Sequence, residues 1–265
     1  KTVLSHGFVL DGKGNKMSKS LGNTVDPIKM VNQYGADILR LWATSIAYQS
    51  DVRISDEIMK QVAENYRKIR NTMRFVLGNL SDFKASDLIE ISKLEGVDQY
   101  MLVELNQLMK GYEEAFNQYD FAEANQLILN CFTNTLSAFY MDFTKDILYI
   151  EKADGLRRRQ VQTVLYHYAK TMMKLLSPIL VFTSEELHDH FHCDENKAES
   201  IFLEAKAELL PVDNEEVIKE YYDRFLLLRK DVLKSLEELR NAKEIKSNME
   251  AKLTICFKDE YEDMA

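Results

Sequence analysis

Lys16 and Lys19 stand with two residues between them in the run Lys16-Met17-Ser18-Lys19-Ser20. A glycine-rich turn, Asp11-Gly12-Lys13-Gly14-Asn15, precedes the run, and Leu21-Gly22-Asn23 follows it. Two ammonium groups on such a loop suit a mobile cationic arm that closes over a polyphosphate and neutralises charge on the transferring or leaving phosphates. The same composition also fits a solvated hairpin turn. A Walker phosphate loop is excluded, because the G-x-x-x-x-G-K-[ST] spacing is absent. Glycines, polar residues and almost no apolar anchor make residues 11–22 the internal segment expected to be least ordered.

Arg67, Arg70 and Arg74 fall at i, i+3 and i+7 and line one face of a helix. Each follows an apolar residue directly, so the stripe lies about 100° round from the buried seam. There the arginine stems can cover the bundle edge while the guanidinium groups reach phosphates. The competing reading is pairing within the helix, Glu64 with Arg67 or Lys68. Arg157, Arg158 and Arg159 point in different directions and make a weaker phosphate-binding surface. Arg229, Lys230, Lys234, Lys243 and Lys246 form a third basic region. His188, His190, His192 and Cys193 are close in sequence, and His188 and His192 can share a helix face. No paired cysteines accompany them, so the cluster is taken as an exposed helix end and no metal is assigned.

The elements that must hold these residues are mostly helical. Only 9 glycines and 3 prolines in 265 residues leave few turns, and 46% hydrophobic residues supply a core for one or two domains. Asp26-Pro27 starts a helix and Gly35 stops it. A short helix carries Ile38, Leu41 and Trp42. Ser55 caps a long helix with apolar positions Ile58, Val62, Tyr66, Ile69, Met73, Val76 and Leu80. The same steps of three and four run through Leu102, Leu105, Met109, Tyr112, Phe116 and Tyr119. They continue through Phe121, Ala124, Ile128, Phe132, Thr135, Phe139 and Phe143, and through Val161, Val164 or Leu165, Tyr168, Met172 and Leu175. Pro178 ends that helix. Thr183 with Glu186 reads as a capping box, Asp194 to Ser200 as a loop, and Phe225, Leu228, Val232, Leu236 and Leu239 as a last helix.

The expected fold class is mainly α: a helical bundle with a short N-terminal strand and loop, and a C-terminal helix plus an orphan strand over 252–258. The chain begins at Lys1 inside a strand-like run, and one strand at each end is not a sheet, so both ends point to further sequence. Nothing is apolar for long enough to cross a bilayer, and no membrane partner is expected. Cys131, Cys193 and Cys256 are odd in number and far apart, as suits reduced structural thiols in the cytoplasm. The net charge of −9 does not exclude RNA, which reads a local patch.

Residues 16–20 match, letter for letter, the KMSKS loop of class I aminoacyl-tRNA synthetases. Leu4-Ser5-His6-Gly7-Phe8, Asp37 to Trp42, Tyr66 to Phe75 and Met249 to Ile255 resemble the isoleucyl-tRNA synthetases. The valyl and leucyl relatives share the loop and a version of Gly35-Ala36-Asp37, but usually differ at Leu21 and at Arg70-Asn71-Thr72. His188 departs from the family, which often has Trp there. The resemblance implies the class Ia anticodon-binding type of bundle. Residues 1–54 would be the KMSKS loop and the connection to a catalytic domain lying elsewhere, 55–210 the anticodon-binding domain, and 211–265 the start of a C-terminal junction. It implies an isoleucine-tRNA ligase in which Lys16 and Lys19 are catalytic, stabilising pyrophosphate during activation. Lys16, Met17, Ser18, Lys19 and Ser20 would contact ATP, supplied with Mg2+, and Arg67, Arg70 and Arg74 would contact isoleucine tRNA. It also implies a cytoplasmic monomer, with isoleucine and ATP bound through the catalytic domain. The family's zinc would lie outside this stretch, and the stretch alone would be inactive. The alternatives are the equivalent part of a valyl-tRNA synthetase, and a non-enzymatic helical RNA or protein interaction module.

Overall fold

Asp26 accepts a hydrogen bond from Ile28 N at 2.9 Å, and Pro27 opens helix α1 (Pro27–Tyr34) where its missing N–H costs nothing. The structure, a computed structural model, describes residues 2–255 and falls into two units, Lys1–Val212 and Asp213–Ala265. Gly35, at φ 99°, closes α1 and opens α2 (Ala36–Thr44), a backbone angle that a side chain rarely tolerates. Ser55 caps α3 (Asp56–Asn79) by accepting from Ile58 N at 3.3 Å.

The N-terminal strand finds a partner within the chain. β1 (Val9–Leu10) pairs in parallel with β2 (Val52–Arg53), Val9 opposite Val52 and Leu10 opposite Arg53. Gly7 permits the approach, since a Cβ there would collide with the Ser50 carbonyl. Ile38, Trp42, Ile54, Met59 and Ala63 form a cluster beneath this ribbon, so the first half of α3 buries Met59 and Ala63 while Ile58, Val62 and Tyr66 stay half-buried around it.

The rest of this unit is the expected mainly α bundle: α4 (Gly96–Asn117), α5 (Phe121–Asn130), α6 (Met141–Ile150), α7 (Leu156–Leu176) and α8 (Val181–Asp189). Between α5 and α6 the chain widens into a π-helix over Cys131–Tyr140. This corrects the expected seam. Steps of three and four would bury Thr135 and Phe143, but the wider turn carries the buried line through Phe132, Leu136, Tyr140, Thr144 and Leu148, in steps of four. Phe143 is left exposed. Helix α7 is buried on nearly every side, Gln160, Gln162 and Thr163 included, as befits the central helix of a bundle.

The Thr183–Glu186 capping box does not form. Asp37 of α2 caps α8 instead, accepting from Phe182 N at 3.3 Å, Thr183 N at 2.7 Å and Thr183 Oγ1 at 2.6 Å. A buried carboxylate facing the first turn satisfies two orphan N–H groups and complements the helix dipole. Arg40 of the same helix donates to the carbonyls of Pro178 and Ile179 at 2.7 and 2.8 Å, which fixes the α7–α8 corner.

The second unit contains α9 (Glu215–Asn241), whose Leu228, Val232, Leu236 and Leu239 are half-buried and whose Phe225 is exposed. The expected strand over 252–258 is not seen at residues 252–255, which have no strand pairing among the described residues. Its remainder, with Cys256, lies outside the described residues.

Candidate functional site

Asp11 organises the lysine loop from within. Its carboxylate accepts from Lys13 N at 3.0 Å, Asn15 N at 2.8 Å and Asn23 Nδ2 at 2.9 Å. The Asn23 amide first, with the Asn15 backbone next, holds the Asp11 carboxyl below its usual range. Asn23 bridges onward, donating to Lys16 O at 3.2 Å and accepting from Ser18 N at 2.9 Å. Ser18 Oγ accepts from Leu21 N at 3.2 Å and lies 3.1 Å from Ser20 Oγ. Met17 also corrects the expectation of a loop with almost no apolar anchor: its side chain packs against the Ile38–Trp42 cluster, and its sulfur accepts from Val25 N at 3.3 Å. The reason is tertiary, because the pocket that takes Met17 is built by α2 and α3.

With the backbone so clasped, the lysines are left outward. Lys16 is exposed, its Nζ 5.4 Å from the centre of the Phe8 ring. Lys19 is exposed and has no ion pair or side-chain hydrogen bond among the described residues. A fixed loop backbone carrying an uncommitted ammonium is suited to meeting an incoming polyanion.

The three arginines of α3 separate. Arg67 is exposed and pairs with Glu64, the alternative the spacing allowed. Arg70 makes a two-pronged pair with Glu186 of α8, both bonds at 2.6 Å. The Arg70 guanidinium beside it holds the Glu186 carboxyl below the usual range. Arg74 is exposed and has no partner among the described residues. Arg70, Arg74, Leu77, Glu186, Leu187 and His190 line a recess of about 250 Å3. Tyr149 of α6 is 68% exposed, its ring edge-on to Phe75 of α3 with centroids 6.4 Å apart. The sequence reading did not single out Tyr149, although an aromatic residue off the apolar seam of its helix is visible there.

Lys230, Lys234, Lys243 and Lys246 of the second unit are exposed, whereas the arginine triplet of α7 is consumed internally. Arg157 pairs with fully buried Asp98, which also accepts from Tyr140 OH at 2.7 Å. Arg158 grips Asp82 at 2.6 and 3.1 Å, and Arg159 donates to Asp82 O at 3.0 Å and to Gln162 at 2.9 Å. The expected exposed end at His188 is also corrected. His188 is 2% exposed, its Nε2 3.6 Å from Glu204, and Cys193 is buried, while His190 and His192 are exposed. Folding of residues 190–204 back over α8 covers His188, and Cys193 sits against Leu80 at the end of α3, its Sγ 3.5 Å from Leu80 O, which helix periodicity does not foretell. No group of three His, Cys, Asp or Glu side chains that could hold a metal occurs among the described residues. No helix among them is long and apolar enough to cross a membrane.

A model of the family described as anticodon-binding domain of tRNA ligase matches residues 98–255. The chain belongs to that family. A model of the class I tRNA synthetases (I, L, M and V) matches residues 1–55, the segment that carries the lysine loop. The chain is 50% identical over 261 residues to the isoleucine–tRNA ligase of Geobacillus thermodenitrificans (strain NG80-2), covering 98% of this chain and 28% of that protein. It is 52% identical over 256 residues to that of Bacillus cereus (strain B4264), covering 96% and 28%. The resemblance to the isoleucyl enzymes therefore runs along nearly the whole chain, which spans 28% of the length of these curated relatives. Among solved structures it is similar to an Agrobacterium radiobacter K84 LeuRS in a ternary complex with tRNA and LeuAMS, at TM-score 0.57 and 21% identity, covering 80% of this chain and 24% of that one. It is also similar to Mycobacterium tuberculosis methionyl-tRNA synthetase with methionyl-adenylate, at TM-score 0.59 and 21% identity, covering 70% and 37%. These two likenesses establish the shared fold. The arginines of α3 lie between the two matched segments.

Proposed function

We propose that this chain is the KMSKS-loop and anticodon-binding part of an isoleucine-tRNA ligase. The observation that carries the reading is the clasped loop with Lys19 left free, in a chain whose relatives at 50–52% identity are isoleucine–tRNA ligases. In amino-acid activation a carboxylate attacks the α-phosphorus of ATP and pyrophosphate departs, so negative charge grows on the leaving phosphates. Lys19, with Lys16 beside it, meets that charge. Ser18 and Ser20 hold the loop's shape in the ATP-facing run at residues 16–20, which the inward side chain of Met17 anchors. ATP arrives with Mg2+. Residues 1–54 connect to the catalytic domain, 55–210 bind the anticodon stem-loop, and 211–265 begin a junction. The intact protein is a cytoplasmic monomer whose zinc lies outside this stretch.

On the bundle, Arg74 and Arg70 are placed to take backbone phosphates, and Tyr149 offers a ring on which an unstacked base can lie. Arg67 is the weakest of the three, because Glu64 already engages it. The test is a pair of assays on the full-length protein: isoleucine-dependent pyrophosphate exchange and binding of isoleucine tRNA. Both activities are expected in the full-length protein, and no exchange in the purified 265-residue chain. Exchange with valine in preference to isoleucine would overturn the specificity.

A further inference from the structure

We propose that Glu186 is a built-in competitor for the RNA phosphate that Arg70 receives, so that Arg70 is released only to a polyanion already engaged by Arg74. This inference rests on the reading of the α3 face as a tRNA contact and adds to it a device that sets the threshold for binding.

The observations are geometric. Glu186 meets Arg70 with both carboxylate oxygens at 2.6 Å, the fork-to-fork arrangement a phosphate would also adopt. The pair is open to solvent, with 32% of the Arg70 side chain and 49% of the Glu186 side chain accessible, so a ligand can reach it. It lines the same recess as Arg74, whose charge is unopposed among the described residues. His190, one turn on from Glu186 at the end of α8, also lines the recess, its Nδ1 2.8 Å from Glu186 O. The helix that carries Glu186 is itself fixed: Asp37 caps its first turn, and Arg40 ties the corner before it. Exchange therefore asks for rotation of one half-exposed side chain rather than movement of a helix. A small anion offers Arg70 no more than Glu186 already does. A nucleic-acid strand brings one phosphate to Arg74 and a second to Arg70, and that second contact is the one Glu186 opposes. The carboxylate thus discriminates against isolated anions, which a bare pair of arginines would not.

The alternative role for Glu186 is positioning, in which it steadies Arg70 while RNA uses the other edge of the guanidinium. Charge-removing substitutions in the full-length ligase separate the two, with an unmodified isoleucine-tRNA transcript as the probe and pyrophosphate exchange as the control for folding and activation. Glu186→Gln keeps the shape and removes the charge. It is expected to tighten tRNA binding by about 2–5-fold, the scale of an exposed ion pair, with the salt slope little changed, because Arg70 holds its phosphate in both complexes. Asp189→Asn makes the same charge change one turn away, and its effect is expected to be clearly smaller. If Glu186→Gln weakens or leaves unchanged the tRNA affinity while Arg70→Ala weakens it, Glu186 positions Arg70 and the competitor role is overturned. If Asp189→Asn tightens binding as much as Glu186→Gln, the effect is general repulsion and the inference fails. If neither Arg70→Ala nor Arg74→Ala alters tRNA affinity in folded protein, the α3 face is not the RNA contact, and the underlying reading falls with it.

Discussion

Arg157, Arg158 and Arg159 at the start of α7 all engage Asp98 or Asp82, whereas Lys19 of the loop and Arg74 of α3 engage no side chain among the described residues. All five lie in the same unit of an acidic protein. In sequence the arginine triplet is the denser basic cluster, yet its charge is spent holding α7 to the α3–α4 connection and α4. The sparser residues keep theirs available. Basic composition is thus a poor guide to which charges are left free, since an internal carboxylate partner can engage them.

The comparison breaks most visibly at Asp98. This carboxylate is wholly buried between Arg157 and Tyr140, so Asp98→Ala leaves two polar groups facing an empty site. Loss of about 3–5 kcal/mol is expected, read as a shift in the chemical-denaturation midpoint, with the salt dependence of tRNA binding preserved in whatever remains folded. In contrast, Lys19→Ala is expected to leave the unfolding transition where it is. In the full-length protein, on the proposed function, it should slow isoleucine-dependent pyrophosphate exchange by about 10²–10³, the scale for one preorganised charge-stabilising group. Unaltered exchange would remove Lys19 from the chemistry.

A third expectation concerns a basic group silenced by burial. Burial, aided by Lys170 nearby, pushes the His167 imidazole of α7 down to about 4. The unfolded chain takes up that proton near pH 6.5 while the folded chain does not, so stability falls as pH drops from about 6.5 toward 4. The loss across that window is on the order of 2–3 kcal/mol. His167→Gln should flatten the denaturation midpoint over that range; an unchanged slope would show that the imidazole is not neutral in the fold. The smallest expected effect is at Arg67. Since Glu64 occupies it at the surface, Arg67→Ala should change tRNA affinity by less than about 2-fold, measured beside Arg74→Ala.

How much of this was legible in sequence follows the range of each interaction. Caps made by neighbours, Asp26 to Ile28 and Ser55 to Ile58, were readable because donor and acceptor lie within three residues. The seams of α7, of α4 up to Tyr112 and of the second half of α3 were readable from period. The first half of α3 instead buries Met59 and Ala63 in place of Ile58 and Val62, because the Ile38–Trp42 cluster meets it on that side, and Tyr119 is exposed. Unreadable were contacts made across the fold. Asp37 caps a helix 144 or more residues away, Met17 finds its pocket only once α2 and α3 have met, and Glu186 joins Arg70 at a separation of 116. The capping box failed because Thr183 and Glu186 both had better partners on other helices. The π-helix escaped because one widened turn changes the step of the pattern without changing its composition. Of the site residues, the loop lysines could be named from sequence alone, while the different circumstances of Arg67, Arg70 and Arg74 depend on which carboxylates the fold brings up.

The difference between committed and free charge is tested most directly by measuring the tRNA dissociation constant of the full-length protein against salt, for Arg74→Ala and Arg158→Ala side by side. Arg74→Ala is expected to weaken binding and flatten the slope of log K against log salt by about one unit, with its unfolding midpoint unchanged. Arg158→Ala is expected to lower the unfolding midpoint and leave the slope alone. A flattened slope for Arg158→Ala with an intact slope for Arg74→Ala would place the RNA on α7 and contradict the account.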